Sequence, residues 1–167
     1  MEKHVLSVLV KNSSGVLTRV SSLFSRRGYN IESLTVGQTE NHENSRMTIT
    51  LFTDEDMLQQ VKKQLAKLED VINVVNFKPK DSVCRELVLI KVKATKENRS
   101  EINETVNIFR SKIVDISNST MTIELTGNES KVSAFINLMK EIGIIELART
   151  GVTALQRGNE TIDKDTI

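Results

Sequence analysis

The chain has 167 residues, 38% hydrophobic and 27% charged, with Lys+Arg 23 against Asp+Glu 22, a length that accommodates one domain or two small ones. A formal net charge of +1, with 4% aromatic residues and no Trp, gives no electrostatic or stacking reason to expect nucleic acid or an anionic membrane surface. No apolar run approaches the roughly 20 residues that span a bilayer, and the single Cys84 excludes an internal disulfide framework and suits a reducing compartment. The opening residues MEKHVLSVLVKN lack the features of a signal peptide, so a soluble, cytoplasmic, globular protein is expected.

Taken in chain order, the hydrophobic period switches between 2 and 3.6. Residues 4–11 form a short apolar, β-branched run that reads as a strand. Ser13-Ser14-Gly15 follows. Val16, Val20, Leu23 and Phe24 then recur at helical spacing until Gly28, a residue suited to the position after a helix. Residues 31–38 read as a second strand, Gln38–Asn44 as an exposed hairpin loop, and 46–53 as a half-buried strand with Met47, Ile49 and Leu51 on one face. Asp54-Glu55-Asp56 suits a helix N-terminus, where the dipole favours carboxylates. Met57, Val61, Leu65 and Leu68 give that helix one apolar stripe, and 71–78 make a strand ended by Pro79. The order is βαββαβ.

The second half repeats that order. Val88, Ile90, Val92 and Ala94 alternate along a strand, while Ile102, Val106, Phe109 and Ile113 line a helix. Strands near 113–117 and 121–126 flank a turn at Ser117-Asn118-Ser119. Val132, Phe135, Ile136, Met139 and Ile142 line a second helix that stops at Gly143, and a last strand covers about 144–149. The predicted fold is α+β: two tandem ferredoxin-like βαββαβ units. Residues 1–78 form the first domain, 79–85 a linker, 86–158 the second domain and 159–167 a frayed tail.

No catalytic constellation emerges. His4, at the start of an edge-like strand, and His42, in the polar loop, have no partner at metal-ligand spacing and read as solvated. Cys84 lacks a helix N-terminus or cationic cluster to lower its pKa. Helix capping accounts for Asp54-Glu55-Asp56 without a metal, and Ser13-Ser14-Gly15 lacks the spacing of a phosphate-binding loop. Neither catalytic nor metal-binding residues are expected.

The junction Asn12-Ser13-Ser14-Gly15-Val16-Leu17 is more informative. It is a strand-to-helix turn whose helix exposes unpaired N–H groups, which reads first as a capped helix start and otherwise as a ready anion site. Gly15 either leaves room for a ligand or only permits a tight turn. Asn30, just after the helix, suits a turn or a polar contact, and Arg26 and Arg27 suit a solvated helix end.

The string HVLSVLVKNSSGVLTRVSSLFSRRGYNIESLTVG, followed by SRMTI, closely resembles the ACT domain of small regulatory subunits of acetohydroxyacid synthase, also called acetolactate synthase. The likeness continues through RELVLIKV (85–92) and ARTGVTALQRG (148–158). That resemblance implies that the first domain is an ACT domain, that the chain is a homodimer without catalysis of its own, and that it binds a large catalytic subunit. The large subunit condenses 2-ketoacid units in branched-chain amino-acid (valine and isoleucine) biosynthesis, and thiamin diphosphate, magnesium and FAD are implied only there. The small subunit is expected to raise its activity and confer feedback inhibition, usually by valine and otherwise by leucine or isoleucine. The effector would lie between the ACT domains of two copies. Asn12, Gly15, Val16 and Leu17 match one face of that site and Asn30 with Ile31 the neighbour's, with Leu9 and Ile31 meeting the branched side chain. A different class of reading is a free-standing ACT amino-acid sensor acting on another partner; a third, an enzyme in its own right, lacks its residues.

Overall fold

The computed structural model describes residues 1–163. Along them run β1 (Glu2–Lys11), α1 (Val16–Arg26), β2 (Ser33–Gln38), β3 (Asn44–Thr53), α2 (Glu55–Leu65), β4 (Val71–Phe77) and β5 (Ser82–Lys93). There follow α3 (Arg99–Ile108), β6 (Lys112–Ile116), β7 (Thr120–Gly127), α4 (Glu129–Ile142), β8 (Ile144–Arg149) and β9 (Thr153–Gln156). The fold is α+β with two βαββαβ units, as the periodicity indicates. The chain divides into two compact bodies: residues 1–84 with those from Val152 onward, and residues 85–151.

In the first body an antiparallel sheet has strand order β2-β3-β1-β4. Leu6, Val8 and Val10 of β1 join Met47, Ile49 and Leu51 of β3, because alternate residues share a face. Against that face pack Val20, Leu23 and Phe24 of α1 and Leu58, Val61 and Leu65 of α2. Asp54 caps α2, accepting a hydrogen bond from the Met57 N–H at 2.8 Å. The apolar stripe of α2 therefore starts at buried Leu58, and Met57, expected in it, is only half-buried. At the other end of α1, Gly28 adopts φ +69° and the Tyr29 N–H donates back to the Phe24 carbonyl at 3.0 Å.

The second body repeats this with strand order β6-β7-β5-β8. Val88, Ile90 and Val92 face Ile102 and Val106 of α3 and Val132, Phe135 and Met139 of α4. Phe109, expected on the helix stripe, follows α3 and packs edge-on against Phe135. Glu86, 5% exposed, accepts two hydrogen bonds from Arg149, at 2.8 and 2.7 Å, which pin β5 to β8.

The segment 79–85 carries a turn closed by the Asp81 N–H on the Lys78 carbonyl (3.0 Å), β5 begins at Ser82, and the division between the bodies falls after Cys84. Three expectations need correcting. The second half does not run compactly to 158, since residues from Val152 belong to the first body. There β9 pairs with β5, whose first residues share that body, and the Thr35 hydroxyl donates to the Val152 carbonyl at 2.9 Å. The segment 159–163 is not frayed either: Ile162 is 2% exposed and its carbonyl accepts from the Asn73 amide. The expected tail residues 164–167 lie outside the described residues. Finally, β1 is an interior strand, and the Nε2 of His4 is buried, without a hydrogen-bond partner among the described residues, rather than solvated.

Residues 152–162 explain why the sheet face away from the helices is dry. Ser7, Leu9, Thr48, Thr50, Asn73 and Phe77 on that face are all buried, and Ala154 and Ile162 are buried with them. Arg46 lies among them and donates to the Ser7 hydroxyl at 3.1 Å. Burial lowers the pKa of its guanidinium from the ordinary value, while Glu40 and Asp163 act in the opposite sense.

Candidate functional site

The loop between β1 and α1 is held from two sides. The Asn12 N–H donates to the Glu43 carbonyl at 2.6 Å, and its side-chain amide donates to the His42 carbonyl at 2.9 Å. Its side-chain oxygen accepts from the Ser45 hydroxyl at 3.1 Å. Asn12 is thus stapled to the β2–β3 hairpin.

Gly15 is the N-cap of α1, with φ +82° and ψ −8°. That left-handed conformation is what glycine adopts without penalty. The sequence admitted a capped helix start; the structure has no side-chain cap there. The N–H groups of the first turn, from Val16 onward, have no intrahelical acceptor and carry the positive end of the helix dipole. Val16 is buried and anchors the turn, whereas Leu17 is 45% exposed. This makes an anion-receptive turn with one apolar side chain on its rim.

Arg19, one helical turn after Gly15, is the residue that the sequence reading missed. A side chain on Gly15 would place its Cβ 3.1 Å from the Arg19 Nη1, so this guanidinium stands beside the turn. It is tied to Asp70 at 2.5 Å. The available signal was a cation at i+4 from a helix-starting glycine, a spacing that puts two positions on one face.

Asn30 and Ile31 lie elsewhere. Asn30 is exposed in the segment before β2, and Ile31 is half-buried, packing on the first core. Register fixes the separation. Gln38 pairs with Ser45 at the Asn12 end of β2, whereas the Glu32 N–H donates to the Thr50 carbonyl at the other. The five steps from Ser33 to Gln38, at ~3.4 Å each, put the ends about 17 Å apart. One chain therefore does not bring Asn30 to Asn12, Gly15, Val16 and Leu17.

Leu9 does not belong with them. It is 2% exposed and lies on the dry face of the sheet, opposite Arg46 and Asn73. The apolar contact available at the turn is Leu17. Among the described residues no group of His, Cys, Asp and Glu is arranged to hold a metal, and no helix is long and apolar enough to cross a membrane.

Two family models match the chain: an ACT domain of the acetohydroxyacid synthase small-subunit kind over residues 6–73, and the small subunit of acetolactate synthase over residues 85–158. A probable acetolactate synthase small subunit from Archaeoglobus fulgidus is 56% identical over 158 residues, covering 95% of this chain and 99% of that protein. The acetolactate synthase small subunit of Mycolicibacterium smegmatis is 50% identical over 155 residues, covering 93% and 91%. Among solved structures, the acetolactate synthase small subunit from Thermotoga maritima superposes with a TM-score of 0.88 at 43% identity, covering 96% of this chain and all of that one.

Proposed function

The chain belongs to the acetolactate synthase small-subunit family, and on that premise we propose that it is a non-catalytic regulator that activates the large catalytic subunit and makes it sensitive to valine. The observation that carries the reading is the match along both halves at high identity. The match of residues 85–158 favours it over a free-standing sensor, which has no need of that half.

The geometry supplies a mechanism for the effector. A valine carboxylate accepts the free N–H groups at the start of α1, next to Gly15 and under the field of Arg19. Leu17 offers apolar surface to its branched side chain, while buried Val16 anchors the turn and Asn12 holds the loop in place. Asn30 and Ile31 come from a second copy. The open β2 edge makes that possible: when two β2 strands pair antiparallel about a two-fold axis, the start of each meets the end of the other. Asn30 of one copy then faces the Asn12–Gly15 turn of its mate. Pairing also covers an edge strand that carries exposed Val36. The chain holds no cofactor of its own in this reading; thiamin diphosphate, magnesium and FAD belong to the large subunit, and the assembly is cytoplasmic.

The test is reconstitution. Purified chain with pyruvate, thiamin diphosphate, magnesium and FAD should form no acetolactate. Added to the large subunit it should raise the rate, and valine should then lower it. A large subunit whose rate is unchanged by saturating small subunit would sink the activation claim.

A further inference from the structure

Beyond the β2 edge, the first sheet has a second open edge at β4. There one row of backbone N–H and C=O groups pairs with β1 and the other faces outward, save the Val74 N–H, which donates to the Asn73 side-chain oxygen at 2.7 Å. A groove of about 710 Å³ runs between this edge and α2. Lys62, Lys63 and Lys67 line it with Asn73 and Asn76, and among the described residues no acidic one does. None of the three lysines has an ion-pair partner among the described residues. The Oδ1 of Asn76, on β4, is buried with no hydrogen-bond donor among the described residues. A second groove of about 510 Å³ shares Lys67 and adds Arg26 and Arg27, so the positive surface continues towards α1.

We infer that the α2–β4 groove docks an extended acidic segment of the large catalytic subunit, which adds as a strand to the β4 edge; this rests on the function proposed above. A sheet edge flanked by a helix is a recurrent way to hold an extended peptide: main-chain bonds give affinity and the flanking side chains select the sequence. Here the selecting wall is three ammonium groups. Lysines near the end of α2 also suit the helix dipole, but the dipole explains neither the groove nor the open edge. A second copy of this chain is a poor occupant, since two-fold pairing through β4 sets one lysine triad against the other. Exposed Ile72 on the same strand gives the incoming segment apolar surface to cover.

The experiment reverses the wall in the full chain, as Lys62→Glu with Lys63→Glu and Lys67→Glu. Affinity for the purified large subunit should fall by about tenfold or more, and the parental complex should weaken steeply with salt. Valine binding, read by calorimetry, should hold, because its turn lies on other elements. Hydrogen exchange supplies a readout of strand addition: amides of Val71–Phe77 should slow when the large subunit is added to the parental chain. Parental affinity in the triple variant, or β4 amides that exchange at the same rate with and without the large subunit, overturns the docking site. A parental chain that does not bind the large subunit at all overturns the function reading, and this site with it.

Discussion

Gly15 carries the valine hypothesis, and its φ of +82° sets the terms on which it can be tested. A side chain there occupies the space beside the α1 N–H groups and displaces the Arg19 guanidinium. An aspartate adds a carboxylate facing that of the ligand. Two like charges about 4 Å apart repel by roughly 1 kcal/mol in water and about 4 at an effective dielectric of 20, which spans a several-fold to roughly thousand-fold loss of affinity. Gly15→Asp should therefore abolish valine inhibition and keep stimulation of the large subunit, with calorimetry and the reconstituted assay run side by side. The fold pays for the left-handed conformation: roughly 1 kcal/mol for a non-glycine residue, visible as a lower urea midpoint. Asp is among the residues that best tolerate it. Valine bound at parental affinity by this variant places the site elsewhere. Asn30→Ala should desensitise more mildly, by about 1 kcal/mol for a lost hydrogen bond, and should do so only if the neighbouring copy supplies that residue.

At the scale of elements, the ion pair between β5 and β8 and the segment over the first sheet are the features most open to measurement. Arg149→Ala leaves the Glu86 carboxylate, 5% exposed, without its two charge-assisted bonds. A cost of about 2 kcal/mol or more is expected in chemical denaturation. Ile162→Ala should cost about 2–4 kcal/mol, as for a buried aliphatic side chain, whereas Leu155→Ala, at an exposed position of β9, should cost almost nothing. Equal, negligible effects at both positions would restore the frayed tail. The long elements were legible because period 2 in β3 and β7 and period 3.6 in α1 and α4 span enough residues to stand out. The four residues of β9 carry no such period. They are a strand because Ala154 is buried and because they pair with β5, far earlier in the chain, and a local pattern holds no trace of such pairing. The start of α1 was half legible: the Asn12–Leu17 junction read as a capped helix start or an anion site, and the N-cap is Gly15 with no side-chain cap. Arg19 went unread because its link to the turn is a matter of rotamer and of Asp70.

For the whole molecule, one sequence order serves two bodies of unequal continuity. The second body is a single stretch, residues 85–151, and the first is assembled from residues on either side of it. The separation of Asn12 from Asn30 was likewise beyond a reading of spacing, because it depends on sheet order and register. Both become plain once β1 and β3 are paired. Cutting after Lys80, which the βαββαβ order alone would license, strips the cover from Leu9, Phe77 and their neighbours. The fragment 1–80 should therefore unfold at lower urea than the first body does in the intact chain. Equal midpoints would show that residues 152–162 contribute nothing to that body. The same arrangement governs how the protein is made. A ribosome releases residues 1–84 first, yet their sheet stays bare on one side until translation has passed Ile162, while the later stretch 85–151 already holds every strand and helix of its own core. Vectorial synthesis thus completes the second body before the first, and the half that carries the Asn12–Gly15 turn is the last to mature.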